Sequence, residues 1–139
     1  KRTGPDLARV GGKYSNDWHA AHMTDPRSVV PESIMPGYSF MAERKLSYLD
    51  MDEHLYTLRQ VGVPYTDEQI KSAIADVQTQ ANGENGDVDA FLERYPKAVI
   101  GDFDGNPEMV SELDALIAYL QIMGKMVDFT TFKPEMNRR

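Results

Sequence analysis

The sequence has no cysteine. It therefore forms no disulfide and offers no thiolate, which removes cysteine-ligated zinc, iron–sulfur clusters and thiol nucleophiles together. That absence is silent on redox compartment. Basic residues are few: 15 Lys and Arg stand against 22 Asp and Glu, for a net charge of -7. Phosphate backbones are gripped by clustered Lys and Arg, so the acid excess argues against a nucleic-acid partner. It suits a domain that meets a basic partner. Long apolar runs are missing as well. Nothing approaches the ~20 apolar residues that a membrane-spanning helix needs. No Gly-rich phosphate loop, serine nucleophile elbow or pair of catalytic carboxylates appears. No side chain reads as the acid, base or nucleophile of an enzyme.

What is present reads as all-α. The 139 residues are 41% apolar, enough for one modest core. Residues 1–14 hold Gly4, Gly11 and Gly12 without periodicity and read as an extended loop. Ser15-Asn16-Asp17 offers capping oxygens to a short helix, Trp18 to Met23, which Asp25-Pro26 ends. Residues 26–40 carry three prolines and a glycine and read as loop. Met51, Leu55, Leu58 and Val61 recur at helical spacing, and Gly62 and Pro64 stop that helix. Thr66 and Gln69 have capping-box form, ahead of a helix with Ile70, Ile74, Val77 and Ala81 on one face. A polar turn at residues 82–87 precedes a short helix, Val88 to Tyr95. Asn106 and Pro107 then suggest the start of a last helix. Its apolar stripe, Val110, Leu113, Leu116, Ile117, Leu120, Met123 and Val127, runs about five turns.

Four polar groups invite a metal and are better read plainly. His19 and His22 share a helix face at i and i+3, but no third ligand is evident, and they read as partly exposed histidines. His54 lies among Asp52, Glu53 and Tyr56 and reads as surface. Asp102, Asp104 and Asn106 begin like a calcium loop. That loop requires Gly at its sixth position and Glu at its twelfth, and Pro107 and Leu113 stand there. The acidic run Glu84 to Asp89 lacks the ligand register.

Several segments together carry a resemblance. They are Thr3-Gly4-Pro5-Asp6-Leu7, Val10-Gly11-Gly12, Asp17-Trp18, Asp25-Pro26-Arg27, Pro31, Met35-Pro36 and Leu113 to Leu120. In this order and spacing they resemble class I cytochromes c. The run Arg2 to Ser15, Trp18-His19, Asp25 to Ser33, Val61 to Thr66 and the ending Tyr119-Leu120-Gln121, Val127-Asp128-Phe129 narrow it. They resemble the mono-haem cytochrome c subunit (CcoO, or FixO) of cbb3-type cytochrome c oxidases, over nearly the whole chain.

The resemblance implies a cytochrome c-like domain over residues 1–129, with a helical insertion at about 50–100 and a tail at 130–139. It implies one covalent haem c that passes electrons toward the oxygen-reducing subunit of the oxidase, at the periplasmic face of the inner membrane. The partners would be the other oxidase subunits, and the membrane would be reached only through an N-terminal anchor. Met35 would be the distal axial ligand. Thioether sulfur is a soft, neutral donor that favours ferrous iron and raises the potential. Pro5 would lie beside the proximal histidine, its carbonyl available to that imidazole. Arg27 would fork onto the haem propionates, and Trp18 would line the haem edge. The aromatic at Tyr119 would pack near the haem-attachment helix.

This chain departs from the family in one large respect. The Cys-x-x-Cys-His segment that attaches the haem is absent, as is the anchor. The opening Lys1-Arg2-Thr3-Gly4-Pro5 has no initiator Met or leader, so the chain is expected to be the downstream piece of such a protein. Alone it would hold no covalent haem and pass no electrons. Its apolar stripe, short of packing partners, would drive self-association. The competing class is a cofactor-free helical interaction module.

Overall fold

The structure, a computed structural model, describes residues 4–83 and 86–126. The expected tail at 130–139 and positions 84 and 85 of the acidic turn lie outside them. Among the described residues seven α-helices follow in order: α1 Asn16–Thr24, α2 Pro26–Val29, α3 Phe40–Glu43, α4 Met51–Gln60, α5 Asp67–Ala81, α6 Val88–Arg94 and α7 Glu112–Ile122. Among the described residues the only sheet-like pairing is an isolated antiparallel bridge, Lys45 with Ser111. The all-α expectation holds.

Capping chemistry sets the first turns. The Ser15 Oγ accepts from the Trp18 amide at 3.1 Å and starts α1. Asp25 then serves two helices. Its own amide donates to the Ala21 carbonyl and closes α1, while its Oδ1 accepts from the Arg27 amide at 3.1 Å and opens α2. Pro26 follows at the first helical position, where a missing N–H costs nothing. Residues 26–40, expected to be loop, thus contain all of α2 and the first residue of α3. The prolines that suggested a break are compatible with a one-turn helix begun by one of them.

The helices α4, α5 and α6 occupy the stretch expected to be an insertion. Gly62, at φ +101°, turns the chain after α4. The capping box at Thr66 and Gln69 is present, with both hydrogen bonds made. The buried side of α5 carries Ala73, Asp76, Thr79 and Ala81, with Ile70, Ile74 and Val77 only half-buried. An apolar template misses this rotation because a polar pair drives it. Arg94 of α6 is bound to buried Asp76 through both Nε and Nη2, and its carbonyl accepts from Gln69 Nε2 at 3.0 Å.

The last helix is shorter than its stripe. It begins at Glu112 rather than Pro107, and ends at Ile122 rather than Val127. Upstream, residues 110–112 pair with residues 44–46: the Leu46 amide donates to the Val110 carbonyl and the Glu112 amide to Arg44. Extended pairing of this kind holds residue 110 out of a helix. Ser111 then caps α7 reciprocally with Asp114. At the far end Gly124, at φ +81°, reverses the chain.

The core centres on Phe103, Leu113 and Ile117, with Ala20, Met23, Met41, Ala42, Val99 and Ala118 packed around them. Leu120 is also buried. The α7 stripe is therefore not bare: Leu113, Ile117 and Leu120 are covered by this chain, and Leu116 is half-buried. Phe103, inside what reads as a loop, supplies much of that cover. Burial of each such side chain is worth roughly 1.5–3 kcal/mol.

Candidate haem-ligand loop

The loop from Val30 to Tyr38 is fastened at both ends to α1 and α2. The Val30 amide donates to Pro26 and the Ser33 amide to Val30, at 2.9 Å each. Arg27 reaches across with its Nε to the Ser33 carbonyl at 3.2 Å. The Met35 amide donates to Ser33 Oγ, also at 3.2 Å. The Tyr38 amide closes the loop on the Met23 carbonyl at 2.7 Å. At Gly37 a Cβ would stand 2.8 Å from the Thr24 carbonyl oxygen, so this approach needs glycine. Met35 is held half-buried in this frame, beside Ile34, which is 78% exposed.

Helix α1 carries a stack of rings. Trp18 lies between Tyr14, at 4.0 Å between centroids, and His22, at 4.6 Å, all nearly parallel. Trp18 is half-buried. His19 presents its ring edge-on to Tyr14 and Trp18. It is 1% exposed, and neither Nδ1 nor Nε2 has a hydrogen-bond partner. The reading of both histidines as partly exposed therefore holds for His22 and is corrected for His19. A buried polar atom without a partner costs about 1–3 kcal/mol. Burial, and the neighbouring His22, push the His19 proton affinity below the ordinary imidazole value; burial does the same at His22.

Pro5 lies elsewhere, exposed in the N-terminal segment. That segment is tied to the end of α7. The Gly11 amide donates to the Met123 carbonyl at 3.0 Å, and the Gly12 amide to Gln121 Oε1 at 2.9 Å. Gln121 Nε2 in turn donates to the Tyr14 carbonyl and to Asn16 Oδ1. A Cβ at Gly11 would stand 2.6 Å from two carbonyl oxygens of that helix end. Of the four residues expected to hold a cofactor, Arg27 and Met35 thus share one hydrogen-bonded loop. Trp18 sits on the helix that the loop closes against, and Pro5 is on a separate strand of chain. Sequence reasoning missed Ser33, Gln121 and the burial of His19. The Gly11-Gly12 pair was the one available signal of a close backbone approach.

Two other features are set apart from this loop. A cavity of about 710 Å³ is lined by Val77, Tyr95, Ala118, Tyr119 and Ile122 among others, and by no residue from 4 to 45. Burial raises the Tyr95 phenol to about 12. Asp102, Asp104 and Asp114 cluster, their oxygens within 4.8 Å of one another. They already bind local groups: Asp102 the Gly105 amide, Asp104 the Ser111 hydroxyl, Asp114 the Ser111 and Asp104 amides. Burial raises the Asp114 carboxyl above its ordinary value. Among the described residues no helix is long and apolar enough to cross a membrane.

A helical body and a methionine loop pinned to its first helix define a class I cytochrome c-like domain. The family model described as "Cytochrome C oxidase, mono-heme subunit/FixO" matches residues 1–127, and the chain belongs to that family, the mono-haem subunits of cytochrome c oxidase. No curated protein matches the chain.

Proposed function

We propose that this chain forms the methionine-loop side of a haem c unit in a cbb3-type terminal oxidase, passing electrons toward the oxygen-reducing subunit. The observation that carries this is the fastening of Met35 by Arg27, Ser33 and Tyr38 within a FixO-family chain. A neutral thioether held at a fixed position suits an iron that changes charge, since the ligand need not move or titrate.

The iron supplies the redox chemistry, and the protein supplies ligation, orientation and burial. Met35 would give its thioether sulfur to the haem iron. Arg27 keeps the loop in place with Nε, and its remaining N–H groups are available to a haem propionate. Trp18, braced by Tyr14 and His22, walls the haem edge. Pro5 offers its carbonyl to the proximal histidine. That histidine's attachment segment lies outside these 139 residues, because thioether links need thiols and the chain has none. The helices α4 to α6 are an insertion within a domain of residues 1–129, placed at the periplasmic face beside the other oxidase subunits.

An oxidase carrying Met35→Ala tests this reading. Oxygen reduction driven by the oxidase's own electron donor should fall at least tenfold, with the haem still attached. Turnover within a factor of two of the unsubstituted oxidase would contradict it. The 139-residue chain alone should give no haem stain after denaturing electrophoresis. A stained band at its mass would contradict attachment from outside.

A further inference from the structure

The cavity of about 710 Å³ follows one face of α7. Ala115, Ala118, Tyr119 and Ile122 line it at i, i+3, i+4 and i+7, the spacing of a single helical stripe. Val77 of α5 and Tyr95, just past α6, line it too, so it lies where α7 meets the preceding helices. The charged groups in its wall are already engaged. Arg94 is bound to Asp76, Asp114 accepts from the Ser111 amide, and Lys97 Nζ donates to the Met126 carbonyl at 3.1 Å. An occupant of this cavity is therefore apolar and uncharged. Tyr119 is 59% exposed and Met126 69% exposed, so two large side chains of the lining are still open to a cover.

The course of the backbone says where that cover comes from. Helix α7 ends at Ile122, and Gly124, at φ +81°, turns the chain. Met126, two residues further on, lines the same cavity as Ile122. The chain has thus come back to the cavity, and Lys97 clamps its backbone there. The residues that follow are Val127-Asp128-Phe129-Thr130-Thr131-Phe132 and then Lys133 to Arg139. The large apolar side chains come first, and Lys133, Glu135, Arg138 and Arg139 come after them. Reach is sufficient. At ~3.3–3.6 Å per residue, Phe129 can lie up to about 10 Å from Met126 and Phe132 up to about 20 Å. The lining from Ile122 back to Ala115 spans only about 10 Å of helix. Each Phe ring buries roughly 150–250 Å² of surface, a large return for an apolar cavity. A second copy of the chain could offer the same rings. A segment tethered this closely, however, meets the cavity at an effective concentration on the order of millimolar, above that of free protein.

We propose that residues 127–132 run back along α7 and place the Phe129 and Phe132 rings in this cavity. The end of the chain then ties α7 to α5 and to the segment after α6. The charged residues from Lys133 onward stay in water.

The test uses the 139-residue chain. Nuclear Overhauser spectra should connect the ring protons of Phe129 and Phe132 to the methyl groups of Ala115, Ala118 and Val77. A mixture of labelled and unlabelled chains separates contacts within one molecule from contacts between copies. Contacts found only between copies would overturn the proposal in favour of a second copy, and no contact to these methyls would overturn it outright. The double variant Phe129→Ser with Phe132→Ser provides a second readout. It should raise the fluorescence of Nile red, an uncharged apolar probe, severalfold over the parent while its helical circular dichroism is retained. Met136→Ser, beyond the apolar part, should leave the fluorescence unchanged. Equal fluorescence for the parent and a folded double variant would overturn the proposal. Should the double variant fail to fold, the contacts in the unsubstituted chain decide.

Discussion

The Nε of Arg27 donates to the carbonyl of Ser33 at 3.2 Å, and the hydroxyl of that same Ser33 accepts from the Met35 amide. One exposed cation on α2 therefore sets the backbone that presents the thioether. Such a bond contributes about 0.5–1.5 kcal/mol. Arg27→Ala should lower the denaturation midpoint of the chain only slightly. In the haem-loaded protein it should weaken the thioether–iron band much more than it weakens the fold. Loss of stability with an unaltered band would show that Arg27 does not position Met35.

Gly37 tests the closure of the same loop. A methyl there would meet the Thr24 carbonyl oxygen at 2.8 Å. Gly37→Ala should destabilise the chain by about 1–3 kcal/mol, as overpacking against backbone does. Gly4, with nothing within 4 Å of an added Cβ, is the control and should be near neutral. Equal melting temperatures for the two variants would contradict the close approach.

The pair of Asp76 and Arg94 ties α5 to α6. Their side chains are 6% and 14% exposed, and removing one partner leaves the other charge buried. Asp76→Ala should cost about 3–5 kcal/mol, and an apolar replacement of both residues should recover most of the loss. Denaturant titration measures each. A single variant as stable as the parent would show that the pair is not held as described.

The histidines give the chain a pH dependence of definite sign. Both bind protons less readily folded than unfolded, where imidazole titrates near 6.5. As pH falls through 6.5 the unfolded chain takes up more protons, so stability falls, and continues to fall until the lowered folded values are passed. Asp114, raised by burial, acts oppositely just above its ordinary value of 3.8. Between pH 7 and 5 the histidines should dominate, and His19→Leu should flatten the slope of stability against pH. Parallel slopes for variant and parent would contradict a buried, neutral His19.

Two helix starts were legible from their caps, Thr66 with Gln69 and Ser15 ahead of Trp18. The bounds of α7 were not legible. Its stripe continues at both ends past the backbone pairing of residues 44–46 with 110–112 and past the turn at Gly124, and neither long-range contact leaves a local trace. The rotation of α5 was hidden for a related reason: Asp76 reads as surface until Arg94 is brought to it. At the site, Met35 and Arg27 stand out by their prolines and order. The burial of His19 depends on Tyr14 and Trp18 folding around it, which spacing alone does not report.

The central claim is that Met35 ligates iron, and one optical measurement bears on it most directly. In the haem-loaded protein, Met35→Ala should abolish the thioether-to-iron charge-transfer band of the oxidised form and lower the midpoint potential, because a donor that favours ferrous iron is lost. An oxidised spectrum identical to that of the unsubstituted protein, band included, would show that the methionine loop does not reach the iron.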